Sequence, residues 1–366
     1  VEGMKKNRIR ATLINFISIF LLFGILVVLC STGTLSNYIK GILMVCCISI
    51  IMACSLNITV GYLGQIALGD CGFMAIGAYT GALTTKAMEA SNILVGIGVP
   101  NTLRFLIATL AGGIIAAIFG VLVGIPALRL RGDYLAIITL GFGEIIRVII
   151  QNLKFAGGKG FSQGQAGQAL IGINRIADIY VVFWIMVISV ALLYAFIRSK
   201  YGRAITAIRD DDIAASASGI NTTFYKVLAF TVSAFFAGVA GSIFAHYIGS
   251  LNAAAFGWLK STEYVIMVVF GGMGSITGSI IAAIILTALP EALREFSEYR
   301  MLAYSVALIL VMIFKPTGLL GTYEFSLFKL INRVTGRGRR AKENPLITDT
   351  TAKTDTAKTV EEKEES

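Results

Sequence analysis

The chain has 366 residues, of which 56% are hydrophobic and only 14% charged, and it carries a net charge of +10. An ordinary soluble domain is roughly 25% charged, and 31 basic plus 21 acidic side chains are too few to cover a water-exposed surface of this size. A soluble enzyme, a secreted disulfide scaffold and a nucleic-acid binder are therefore poor fits, and the composition calls for lipid as solvent.

Charge collects at the two ends. Residues 333–366 hold 8 Lys/Arg and 7 Asp/Glu, and residues 1–10 hold 4 Lys/Arg and 1 Glu, so the long middle is nearly devoid of charge. The five cysteines, Cys30, Cys46, Cys47, Cys54 and Cys71, are odd in number and sit in apolar runs without metal-ligand spacing. That pattern reads as buried small hydrophobes. A single His closes off His-rich metal sites and argues against a Ser-His-Asp triad, and no metal ligand set is expected.

In chain order, residues 1–10 form a basic N-terminus. Residues 11–31 follow as an apolar run too long for a signal peptide, with a second span within ten residues. Further runs of spanning length lie at 41–60, 104–125, 134–151, 178–197 and 227–247, with a shorter one at 301–314. Two more segments are apolar but broken by glycine: 61–85, GYLGQIALGDCGFMAIGAYTGALTT, and 263–289, EYVIMVVFGGMGSITGSIIAAIILTAL. Such breaks permit close packing or a change of direction where protein surrounds the backbone.

With the N-terminus inside, loops 1–10, 127–132 and 198–226 face the cytoplasm and carry 11 Lys/Arg in 45 residues; the outer loops carry 9 in 79. A cytoplasmic tail then requires 263–289 to be a re-entrant hairpin turning at Gly271, Gly272 and Gly274. The fold expected is all-α and polytopic, with about eight transmembrane helices plus this glycine-broken re-entrant segment. The transmembrane body covers 11–321. The remainder, 322–366, is a basic and charged tail, and its last part, 342–366, is too poor in bulky apolar residues to fold. The cluster Arg333, Arg337, Arg339 and Arg340 suits anionic lipid head groups.

The longest cytoplasmic loop, 198–226, reads RSKYGRAITAIRDDDIAASASGINTTFYK. Residues 205–219 have helical composition, Asp210, Asp211 and Asp212 favour a helix N-terminus, and Gly219 is a plausible stop. The small residues present a face on which a partner can dock closely. Within the membrane Glu144 and Arg147 lie three apart and can pair, and polar groups there are costly enough to invite a functional reading. Glu144 and Arg147 are candidates for a translocation path, with structural pairing as the alternative; Asp70 is another, a carboxylate that can meet a substrate ammonium, line a wet cavity or sit protonated. Gln65, Tyr79, Thr139, His246 and Tyr247 are further candidates, a helix–helix hydrogen bond being at least as good a reading for each.

The chain also resembles a family. Ala214, Ala215 and Gly219 have the spacing of the loop by which ABC importer permeases contact their ATPases, although Ile213 stands where that pattern usually has Glu. Residues 57–83, 128–152 (LRLRGDYLAIITLGFGEIIRVIIQN), 201–221, 245–275 and 314–321 (FKPTGLLG) are similar to permeases of branched-chain amino acid ABC transporters. The likeness is strongest to the LivM-type subunit and covers about 40–321. It implies a multi-pass protein of a prokaryotic plasma membrane that partners a second, non-identical permease, two cytoplasmic ATPases and an external substrate-binding protein. Arg209 through Gly219 would then couple to the ATPases. Asp70 stands where the family more often has His, which leaves urea, short amides or another small polar solute as the alternative cargo. No G-x-x-x-x-G-K-[ST] phosphate loop is present, so this chain binds no cofactor and ATP is used by its partners.

Overall fold

The computed structural model describes residues 36–90, 100–128, 132–152, 170–171 and 177–293, with single positions at 24, 130, 173, 175, 305, 306, 309, 313, 318, 319 and 321. The expectations for 1–10, the span at 11–31, the arginine cluster and the tail lie outside the described residues, as does most of 301–314. One compact unit is Cys30–Glu324 and a second is Val1–Leu29 with Phe325–Ser366. The architecture below is that of the first.

Helix α1, Asn37–Asn57, is capped by Ser36 and runs directly into a π-helix, Ile58–Tyr62. After an extended stretch come α2 (Asp70–Ala90), α3 (Asn101–Ala127) and α4 (Asp133–Asn152). Then follow α5 (Ile179–Arg198), α6 (Lys200–Asp210), α7 (Asp212–Ala217) and α8 (Thr222–Ile248). A 3₁₀ turn, Ala253–Phe256, leads into α9 (Trp258–Gly271), and α10 (Ile276–Ala292) completes the set. The two-residue strands β1 (Leu170–Ile171) and β2 (Ser250–Leu251) pair antiparallel. Among the described residues six helices are long and apolar enough to cross a membrane, and Ile276–Ala292 is a shorter apolar helix. Helix α2 has the length, roughly 31 Å at 1.5 Å per residue, but its sequence is more polar. It escapes lipid because its neighbours bury most of it.

The centre is a trio of α2, α3 and α8 held together by missing side chains. A Cβ on Gly77 would strike the backbone of Gly238, one on Gly241 the carbonyl of Met74, and one on Gly112 would lie 2.7 Å from the Gly77 carbonyl oxygen. Small residues let helix backbones approach in the absence of a hydrophobic drive between them. The register of these contacts sets direction. Gly124 meets Phe230 while Gly113 meets Val239, so α3 is antiparallel to α8; Gly77 meets Gly238 and Gly81 meets Ser242, so α2 runs parallel to it. The loop carrying α6 and α7 therefore marks one end of the bundle, and the β1–β2 pair marks the other. We call these the loop end and the far end.

Helices α9 and α10 form the hairpin expected from the second glycine-broken segment. Its arms touch at Gly271 and Gly278, where each backbone occupies the space of the other's Cβ. The tip, 272–275, needs Gly272 at φ +112° and Gly274 at φ +86°, conformations that cost other residues dearly. Asn57 clamps it: its amide donates to the Ser275 carbonyl (3.0 Å) and the Ser279 hydroxyl (2.9 Å), and its oxygen accepts from the Gly274 N–H (2.9 Å). Leu319 N–H donates to the Phe270 carbonyl at 2.8 Å, closing the tip from the other side. The tip reaches the loop end, against Arg209 of α6.

Two outcomes follow for thermal unfolding of the detergent-solubilised chain. Gly77→Val should cost about 3 kcal/mol, the upper end of overpacking penalties, whereas Gly141→Val, at a position with open space around it, should leave the transition unmoved. Asn57→Leu should lose about 1–3 kcal/mol through the unpaired groups left at the tip and expose the 272–275 segment to protease.

Candidate functional site

The loop is built as two helices, not the single one its composition predicts over 205–219. Ser199 starts α6 by accepting from Tyr201 N–H (3.1 Å) and Gly202 N–H (3.4 Å), and Ile205 and Ile208 turn inward. The aspartate run does begin a helix. Asp211, at φ −156° and ψ 110°, breaks the chain and accepts from the N–H groups of Ile213 and Ala214, both at 2.9 Å. Asp212 pairs with Lys226 of α8 at 2.8 Å, a lysine almost wholly buried. Gly219, at φ +82°, ends the turn, and Asn221 caps α8 by accepting from Phe224 N–H. The break sets the phase of α7: Ala215 is buried, while Ala214 is exposed and Ile213 is 77% exposed. The outward face is thus Ile213, Ala214 and Ala217, with Phe224 beside it on α8.

Arg209 is the loop residue that reaches inward. Its guanidinium holds Asp210 at 3.0 Å on one edge and donates to the Gly61 carbonyl at 3.1 Å on the other. The reason lies in the π-helix. Leu63 N–H bonds Ile58 and Gln65 N–H bonds Thr59, and with the chain then extended the Gly61 carbonyl accepts from Arg209. Gly64, at φ +73°, lies under the Arg209 side chain, and Gly274 of the hairpin tip lies beside its Nη1. One side chain thus touches the loop, the first glycine break and the second.

A second polar group forms around the start of α2, halfway along the bundle. The backbone there is extended, and its groups are taken by side chains: Leu68 N–H donates to Thr139 Oγ1 (3.1 Å), and Ser261 Oγ donates to the Leu68 carbonyl (2.5 Å). Gly69 packs on the backbone of Thr139, and Gly72 on Gly143. Glu144 pairs with Arg147 at 2.6 Å and uses its other oxygen to accept from Trp258 N–H at 2.8 Å, capping α9 from a different helix. A narrow cleft with room for about one water molecule opens here, lined by Leu68, Cys71, Leu140, Glu144, Phe256 and Trp258 among others.

The eight intramembrane candidates divide. Thr139, Glu144 and Arg147 meet at this break. Asp70 opens α2 beside it at 1% exposure, with neither carboxylate oxygen hydrogen-bonded. Ser233, its neighbour on α8, donates to the Ser55 carbonyl. Gln65 Oε1 is also buried without a hydrogen bond. Tyr79, His246 and Tyr247 lie away from the break toward the far end. His246 is sealed between helices, one ring nitrogen 2.7 Å from Thr85 Oγ1 and the other 2.8 Å from the Ser242 carbonyl; since a carbonyl only accepts, Nδ1 carries the proton. Tyr79 packs on Phe256, and the Tyr247 hydroxyl faces Gly41. Gly271, Gly272 and Gly274 form the hairpin junction and tip. Among the described residues no cluster of His, Cys, Asp or Glu is placed to hold a metal ion.

Sequence reasoning missed Asn57, Ser261, Lys226 and the pair Lys260–Glu263, which lie 2.5 Å apart on α9. Asn57 and Lys260–Glu263 carry a readable signal, a polar side chain inside an apolar stretch. For Ser261 and Lys226 the role comes only from partners distant in sequence.

The description branched-chain amino acid transport system, permease component, matches residues 38–315. Among curated proteins, the chain is 37% identical to the high-affinity branched-chain amino acid transport system permease protein LivM of Escherichia coli over 276 residues, 68% of this chain and 62% of that protein. It is 36% identical to the LivM protein of Salmonella typhimurium with the same coverage, and 34% identical to LivH of Escherichia coli over 168 residues, 43% of this chain and 54% of that one. The match thus spans somewhat less than two thirds of the LivM relatives. No solved structure matches. With six helices of spanning length among the described residues and a family match over 38–315, the chain is a multi-pass membrane protein that belongs to the family of branched-chain amino acid transport system permease components.

Proposed function

We propose that this chain is one of two non-identical permease subunits of an ATP-driven importer that moves branched-chain amino acids into a prokaryotic cell. An external binding protein delivers the substrate, and two cytoplasmic ATPases dock on the loop end and supply the energy. The relatives that share this family are named as transport permeases. The observation that carries the reading is the construction of the loop: an exposed small-residue helix, α7, set between two spanning helices and joined through Arg209 to both glycine breaks.

Coupling needs two permease conformations that bind the nucleotide-loaded partner with different free energies. Helix α7 offers the contact, because Ile213 and Ala214 point outward while Lys226 anchors Asp212 behind them. Displacement of α7 is passed to α6 across the Asp211 break. Arg209 then carries it to Gly61 and to the hairpin tip. The π-helix is a natural place for this, since its irregular hydrogen bonding concentrates strain and function in otherwise regular helices.

Three variants in the reconstituted assembly separate the steps. Ala214→Trp should strip the ATPases from the purified complex and reduce leucine uptake at least tenfold while the chain still inserts; undiminished uptake would remove the docking assignment. Arg209→Ala should keep the ATPases bound and hydrolysing but lower uptake at least tenfold. Ala215→Trp acts on a buried position and should lower stability as well. Uptake of leucine against urea by the unaltered assembly, each with its own binding protein, decides the cargo.

A further inference from the structure

Four charged side chains stand at one depth. Counting 1.5 Å per residue from the loop-end terminus of each helix, Glu144 lies about 16 Å up α4 and Arg147 about 21 Å, while Lys260 lies about 16 Å and Glu263 about 12 Å up α9. The hydrocarbon core of a bilayer is about 30 Å thick, so all four sit near its middle. They form two ion pairs, Glu144–Arg147 at 2.6 Å and Lys260–Glu263 at 2.5 Å, joined by the bond from Trp258 N–H to Glu144.

None of the four is sealed. Side-chain exposure is 26% and 24% in the first pair and 41% and 46% in the second, and Trp258 between them is 52% exposed. A charge presented to hydrocarbon at this depth costs about 2.5–3.5 kcal/mol or more, and four together would oppose insertion strongly. The surface of α3 shows what a lipid face looks like in this molecule: Leu110, Ile114, Ile118 and Leu122 are exposed and wholly apolar. The charged belt is therefore no lipid face. It has two positive and two negative groups and no net charge, and the cleft beside it is lined by Leu68, Leu140 and Phe256.

We infer that this belt is the solute-facing wall of the translocation path and that it receives a zwitterion. Arg147 and Lys260 face the carboxylate, and Glu263 faces the ammonium. The choice of a branched-chain amino acid rests on the function proposed above; the placement of the path does not. Asp70, fully buried behind the cleft, is not part of this surface.

The test uses the complete assembly in liposomes with Glu263→Cys and Lys260→Cys, the unaltered chain setting the background from its own buried cysteines. A charged, membrane-impermeant methanethiosulfonate should modify both positions at least tenfold faster than background, and leucine with binding protein and ATP should slow that modification at least fivefold. Leu122→Cys, on the apolar face, should react only with a lipid-soluble maleimide. Failure of the charged reagent at 260 and 263 overturns the path, and would place the belt against lipid or the second subunit. Modification that leucine does not slow, in an assembly that imports leucine, overturns the zwitterion site. Absence of leucine import by the unaltered assembly refutes the cargo proposed above and is read separately.

Discussion

Inside a bilayer a helix can be interrupted only where other protein groups take over its backbone hydrogen bonds, since lipid offers none. This constraint organises the whole molecule. The carbonyl of Gly61 is taken by Arg209, the two backbone groups of Leu68 by Thr139 and Ser261, the Gly274 N–H by Asn57 and the Phe270 carbonyl by Leu319. Each break is therefore tied to a distant part of the chain, and the ties converge. Asn57 joins the first broken segment to the hairpin tip, and Arg209 joins both to the loop. A break in such a helix is a joint with a fixed set of attachments.

The same constraint divides the molecule into stiff and adjustable parts. The α2–α3–α8 trio meets backbone on backbone at Gly77, Gly112, Gly238 and Gly241, and at those points no side chain can slide or repack. Helix α4 also meets α2 through Gly72 and Gly143, but polar bonds at Leu68 and Ser261, and the Glu144 bond between α4 and α9, can exchange partners at lower cost than packed backbone. In the proposed importer the trio is the frame; the hairpin tip moves with the loop as one body, and α4 shifts relative to both. That places the charged belt of Glu144, Arg147, Lys260 and Glu263 on the surface that changes.

Much of this was legible in the residues. Apolar length marks the spans because bilayer thickness leaves little choice, and clustered glycines marked both breaks. The family was readable from long motifs such as LRGDYLAIITLGFGEIIR. What could not be read were features set by tertiary partners. The Asp210–Asp212 run announces a helix start but not which aspartate caps it; the pairing of Asp212 with Lys226 settles that, and with it the inward turn of Ala215. Helix α9 begins at Trp258, five residues before the expected segment, because Glu144 caps it from 114 residues away. That shift carries Lys260 from an outer loop into the middle of the bundle. His246, a path candidate by composition, is sealed between Thr85 and Ser242 as a link between helices.

The central claim is that the loop and the hairpin tip move as one body because Arg209 joins them. Spin labels at Arg203 on α6 and Met273 at the tip, both exposed, and at Ile145 on the outer face of α4 test it by pulsed electron resonance in the reconstituted assembly. The account predicts that the 203–273 distance holds between the nucleotide-free and ATP-bound states while the 203–145 distance changes. A 203–273 distance that shifts with nucleotide while 203–145 stays constant would contradict it.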